Sequence, residues 1–111
     1  MWFCFNDGFV SVVEDTRGIS ELVVRARRKE ILEKIFPEKE IVELTVSDYK
    51  YRAYCTKDEW SKIVVDRIQN IDYSNFKNSV KDNELHQMYN NFWFIHYNYQ
   101  EKMNTGVYYD R

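Results

Sequence analysis

Residues 82–102 read DNELHQMYNNFWFIHYNYQEK, and this stretch decides the fold. It holds no proline and no glycine, and Leu85, Met88, Phe92, Ile95 and Tyr99 recur at alternating steps of three and four. That spacing predicts one face of a helix. Tyr89, Trp93, His96 and Gln100 form a second row on the adjoining flank, and Phe94 and Tyr97 fall outside the main stripe. The apolar surface exceeds what one stripe needs, so the helix is expected to dock against a sheet. Upstream, Phe76 and Val80 begin another helical pattern. Continued as one ideal helix, they would face away from Leu85, so a restart is expected at 79–82, with Asp82 as N-cap.

The sheet must come from the first half. Trp2 to Phe5 and Phe9 to Val13 are short aromatic or β-branched runs around Asn6-Asp7-Gly8. Asp-Gly tolerates positive φ, so this reads as a hairpin. After a polar turn at 14–18, residues 20–27 (SELVVRAR) alternate, with Leu22, Val24 and Ala26 on one side and Val23, Arg25 and Arg27 on the other. Three strands in an antiparallel meander follow. The period then changes: Ile31, Leu32, Ile35 and Phe36 make a helical stripe that Pro37 stops. Residues 41–46 return to strand, with a turn at Ser47-Asp48. In 49–55 the alternation puts Tyr49, Tyr51, Ala53 and Cys55 on one face, and Lys50, Arg52 and Tyr54 on the other. Thr56-Lys57-Asp58-Glu59 reads as a capping box opening a helix buried along Trp60, Ile63, Val64, Ile68 and Ile71. The order β-β-β-α-β-β-α-α predicts an α+β two-layer domain, an antiparallel sheet of about five strands under a long aromatic C-terminal helix. Residues 1–103 are expected as that single domain and 104–111 as a tail.

At 111 residues the chain fits one domain, and 44% hydrophobic with 17% aromatic residues argues for a packed globule. The net charge of −2 supplies no overall field toward nucleic acid or an anionic membrane. Cys4 and Cys55 both lie in strand-like runs and are expected reduced and buried. No run approaches the length of a membrane span, and the N-terminal residues lack the basic start of a signal peptide. The expected location is the cytoplasm.

The words Met1-Trp2-Phe3, Gly8-Phe9-Val10-Ser11-Val12-Val13, Leu22-Val23-Val24-Arg25-Ala26-Arg27, Asp48-Tyr49-Lys50-Tyr51-Arg52-Ala53 and Ile71-Asp72-Tyr73-Ser74-Asn75-Phe76-Lys77 follow in that order. Together they resemble a family of small, uncharacterised bacterial and phage-borne proteins. The resemblance spans residues 1 to 95 or so and implies a stand-alone domain carried on mobile elements. It supplies no catalytic residues.

Several chemistries find no support. His86 and His96 lie ten residues apart, about 15 Å along a helix, too far to share a metal. No metal and no cofactor are expected. There is no G-x-S-x-G, phosphate loop or dinucleotide fingerprint, and the three glycines do not cluster. Asp48, Asp58, Asp66 and Asp72 read as turn or cap residues. No catalytic residue is assigned.

Two surfaces remain. The preferred reading is a non-enzymatic module that binds a protein partner, or a second copy of itself, through Tyr89, Trp93, Phe94 and Tyr97. In a phage, its role would be to inhibit a host defence complex in the manner of an anti-CRISPR protein. The alternative is a nucleic-acid binder using Arg25, Arg27, Lys50 and Arg52, edged by Tyr54. Against it stands a solvated sheet face whose arginines pair with Glu14, Glu21 or Glu43. A third reading, an enzyme around Tyr51, Arg52, Asp72 and Lys77, has the least support.

Overall fold

A computed structural model describes residues 1–105. The fold is α+β, with nine elements among the described residues, in the order β1 (Trp2–Phe5), β2 (Gly8–Glu14), β3 (Leu22–Ala26), α1 (Lys29–Ile35), β4 (Val42–Glu43), β5 (Tyr51–Cys55), α2 (Lys57–Gln69), α3 (Phe76–Ser79) and α4 (Asn83–Thr105). By their internal contacts these fall into two compact units, Met1–Ser74 and the residues from Asn75 onward.

In the first unit the five strands form one antiparallel sheet in the order β1-β2-β3-β5-β4. The hairpin and meander appear where the alternation places them. The physical reason for Gly8 is different from the expected one. Among the described residues only Gly18 has a positive φ, 73°. Gly8 is instead needed for space, because a Cβ there would lie 2.5 Å from Ile31 Cγ1 on α1. A bare backbone lets that helix sit close to the sheet.

Phe3, Phe5, Val10, Val12, Leu22, Val24, Ala26, Ala53 and Cys55 share one sheet face and, with Ile31, Leu32, Phe36 and Trp60, form the core. Trp60 is its hub, meeting Phe3 edge-on at 5.3 Å and Phe36 at 6.2 Å. Burial holds the Cys55 thiol up at about 11. Cys4, expected inside, is exposed, because its position in β1 points to the opposite face. Both thiols are free.

α2 begins with the capping box that was read from its sequence. Glu59 N donates to Thr56 Oγ1 at 3.1 Å and Thr56 N donates to Glu59 Oε1 at 2.9 Å. Its expected buried stripe holds only in the first half: Ile68 and Ile71 are 57% and 52% exposed. The strand expected at 41–46 shrinks to two residues. Beyond it Leu44 N adds one more cross-strand bond, to Lys50 O, and Ser47 N then donates to Leu44 O, which turns the backbone back.

In the second unit α3 is a single short helix capped by Asn75, whose Oδ1 accepts from Asn78 N at 3.0 Å. The restart falls where expected, with Asp82 Oδ1 accepting from Leu85 N at 2.9 Å. Phe76 packs on Tyr89 at 5.1 Å, and Tyr89 on Phe92 at 6.0 Å. Leu85, Met88 and Phe92 are partly covered, but Ile95 and Tyr99 from the same stripe are 58% and 60% exposed. α4 carries the expected helix to Thr105, and the remainder of the expected tail lies outside the described residues. No described helix is long and apolar enough to cross a membrane.

Candidate functional site

Each unit presents one surface that the sequence singled out. On the sheet, the register sets Ser11 opposite Arg25, Arg25 opposite Arg52, and Arg52 opposite Val42. These residues form one row across the face that the core does not use. Arg25 and Arg52 therefore stand side by side on neighbouring strands, as the alternation in β3 and β5 requires. Neither pairs with Glu14, Glu21 or Glu43. Arg25 Nη2 donates to Ser11 Oγ at 2.7 Å and Arg52 Nη2 to Ser47 Oγ at 2.9 Å. The Nε of each arginine is buried and has no hydrogen-bond partner among the described residues.

Tyr49 belongs to this surface, against the expectation that it would face the core with Tyr51. It lies ahead of β5, so strand alternation does not govern it. Its ring lies under two guanidiniums, 4.6 Å from Arg25 and 4.1 Å from Arg27, and is only 5% exposed. The turn expected at Ser47-Asp48 closes earlier, from Leu44 to Ser47, and a bend runs on through Tyr49, so the strand begins at Tyr51, two residues later than expected. Arg27 is exposed and turned to Asp48 at 3.4 Å. Lys50, expected beside Arg52, lies outside the strand and holds its ammonium 5.7 Å from the Tyr51 ring. The expected four-residue patch thus resolves into an Arg25–Arg52 pair with Arg27 to one side. At the far end of the face, Arg17 sits 3.5 Å over Tyr54.

On α4, the four residues singled out divide. Tyr89 is 3% exposed, inside the α3–α4 packing, because Phe76 and Phe92 take up its ring. Phe94 is partly covered. Trp93 and Tyr97 are 51% and 39% exposed and stack on each other at 5.4 Å with their planes 15° apart. Lys77 lies 4.4 Å over the Trp93 ring and donates to Asn90 Oδ1 at 3.2 Å. Tyr97 Oη donates to Glu101 Oε1 at 3.0 Å. The pair is therefore held in place by contacts within its own unit. Ile95, Tyr99 and Met103 add exposed apolar surface on another side of the same helix.

Of the residues in the enzymatic reading, two share a strand. Tyr51 and Arg52 are neighbours in β5 and project to opposite faces. A groove of about 620 Å³ in the first unit is lined by Phe5, Lys34, Ile63 and Tyr73 around an ion-pair knot. There Asp7 accepts from Lys34 at 2.8 Å and Arg67 at 2.6 Å, and Arg67 lies 4.6 Å over Phe5. Burial works to raise the Asp7 carboxyl, but the hydrogen bonds from Arg67 and Lys34 outweigh it and lower the pKa. Both carboxylate oxygens are engaged in tying the first hairpin to α1 and α2, which is a structural task. Among the described residues no cluster of three or more His, Cys, Asp or Glu is placed to hold a metal ion. No family model, no curated protein and no solved structure matches the chain.

Proposed function

We propose that this chain is a small non-enzymatic interaction protein that binds a protein partner through the exposed flank of α4. The observation that carries the reading is the Trp93–Tyr97 stack, two large rings held rigid and open to solvent. Rigid aromatic surface is what protein interfaces favour, because it supplies contact area at little cost in side-chain entropy. Ile95, Tyr99 and Met103 enlarge the apolar surface the helix offers. The resemblance of the strand and turn motifs to phage-borne proteins supports a narrower role, that of a mobile-element accessory protein acting in the cytoplasm on a host defence complex. The partner is then the complex that it blocks.

The experiment compares wild type with a Trp93→Ala/Tyr97→Ala double variant by affinity capture from a host lysate, and by light scattering of the purified chains. A species retained by wild type and lost by the variant is the expected result. A wild-type dimer that the variant dissolves would make the partner a second copy. Equal capture and equal mass for both proteins would remove the reading, because the ring pair would then contribute nothing to association.

A further inference from the structure

The sheet face carries a feature that association through α4 does not use. Arg25 and Arg52 are direct cross-strand partners, both only partly exposed. Like charges placed directly opposite each other in a sheet repel and destabilise the pairing. The usual remedy is a carboxylate in the same row, and here there is none. Among the described residues, neither arginine enters an ion pair.

Around the pair stand hydroxyls and a ring rather than carboxylates. A guanidinium has five N–H groups, and each of these two spends one of them on a serine. A serine hydroxyl that accepts from arginine still has its own hydrogen to give. Ser11 is 1% exposed, and neither its hydroxyl nor that of Ser47 donates to a described residue. The Tyr49 ring lies 4.6 Å from the Arg25 guanidinium, and the Arg25 Nε is a buried donor without an acceptor among the described residues; a guanidinium recognises phosphate oxygens in pairs through such N–H groups. A half-buried row of donors with no carboxylate calls for a ligand that is all acceptor and negatively charged.

The surroundings limit its size. A nucleic-acid backbone needs a track of cations. Here Arg27 is turned to Asp48 and Lys50 to Tyr51, so the positive charge does not continue along the face. We propose that Arg25, Arg52 and the Ser11 and Ser47 hydroxyls form a binding site for a single phosphate group, free or as the monoester end of a small ligand. The ligand resolves the cross-strand repulsion and supplies the charged acceptors this row lacks.

The test is an NMR titration that follows the arginine Nε–H signals of the intact protein, with sodium phosphate and phenyl phosphate as probes and sodium chloride at matched ionic strength as control. Saturable shifts of the Arg25 and Arg52 signals are expected with either phosphate probe and not with chloride. Saturation by phenyl phosphate alone would identify a monoester ligand, and saturation by both would admit the free ion. Arg25→Gln and Arg52→Gln should each weaken binding about tenfold or more, whereas Lys62→Gln, an exposed cation elsewhere, should not. The backbone spectrum of each variant reports whether it is folded, and the wild-type titration needs no variant. No saturable response to either probe, or equal affinity in the folded Gln variants, would overturn the proposal. So would a short oligothymidylate without terminal phosphates that saturates these signals when the probes do not.

Discussion

Gly8 is the residue at which the cause and the pattern separate. Asn6-Asp7-Gly8 looks like a turn that exploits positive φ, yet the glycine is demanded by the approach of Ile31. Gly8→Ala should therefore lose about 1–3 kcal/mol through overpacking, read as a lower urea midpoint. Gly8→Ala together with Ile31→Val should recover part of that loss, which a defect in the turn would not allow. Asp15 makes a second case. Its carboxylate accepts from Arg17 Nε at 2.9 Å, Arg17 N at 3.1 Å and Ser20 N at 3.0 Å. The Arg17 guanidinium holds its pKa down at about 2. In the unfolded chain the carboxyl returns to about 3.9. The folded pKa is the lower one, so the stabilisation is complete above that value and is lost as pH falls toward 2. Melting temperature against pH should drop more steeply across that window for wild type than for Asp15→Asn. Parallel curves would show that this carboxylate contributes nothing to acid lability.

At the scale of elements, the helix starts are local events and were legible. The Thr56–Glu59 box and the Asp82 cap involve residues three apart, so no distant neighbour is needed to recognise them. Thr56→Ala should cost about 1 kcal/mol, measured by chemical denaturation. A loss close to zero would mean that α2 is held by Trp60 packing alone. Helix faces were less legible. Periodicity grouped Leu85, Met88, Phe92, Ile95 and Tyr99 on one face of α4, but exposure divides that face after Phe92. The same happens along α2, where Trp60 is buried and Ile68 is open. The second strand pair shows the matching failure in a sheet. Alternation carried through 49–55 misplaced Tyr49 and Lys50, because the turn that precedes β5 breaks the register before the strand begins.

For the whole molecule, charge balance separates the two readings of function. With a net charge of −2 and an aromatic surface as the proposed site, partner capture should change little between low and high salt. Binding to a polyanion would fall steeply over the same range. Repeating the capture at both salt concentrations distinguishes the two, and a steep loss would argue against docking through Trp93 and Tyr97. The amino-acid sequence by itself determined the α+β class, the meander, both helix caps and the side of each strand that carries arginine. These follow from φ/ψ preferences and from periods of two and 3.6, which act within a few residues. Only the tertiary structure decided that Arg25 and Arg52 face each other, that Tyr49 lies under the arginines, that Tyr89 is inside and that Trp93 is not. Periodicity tells which side chains share a face. Which face is covered, and by what, depends on residues far away in the chain.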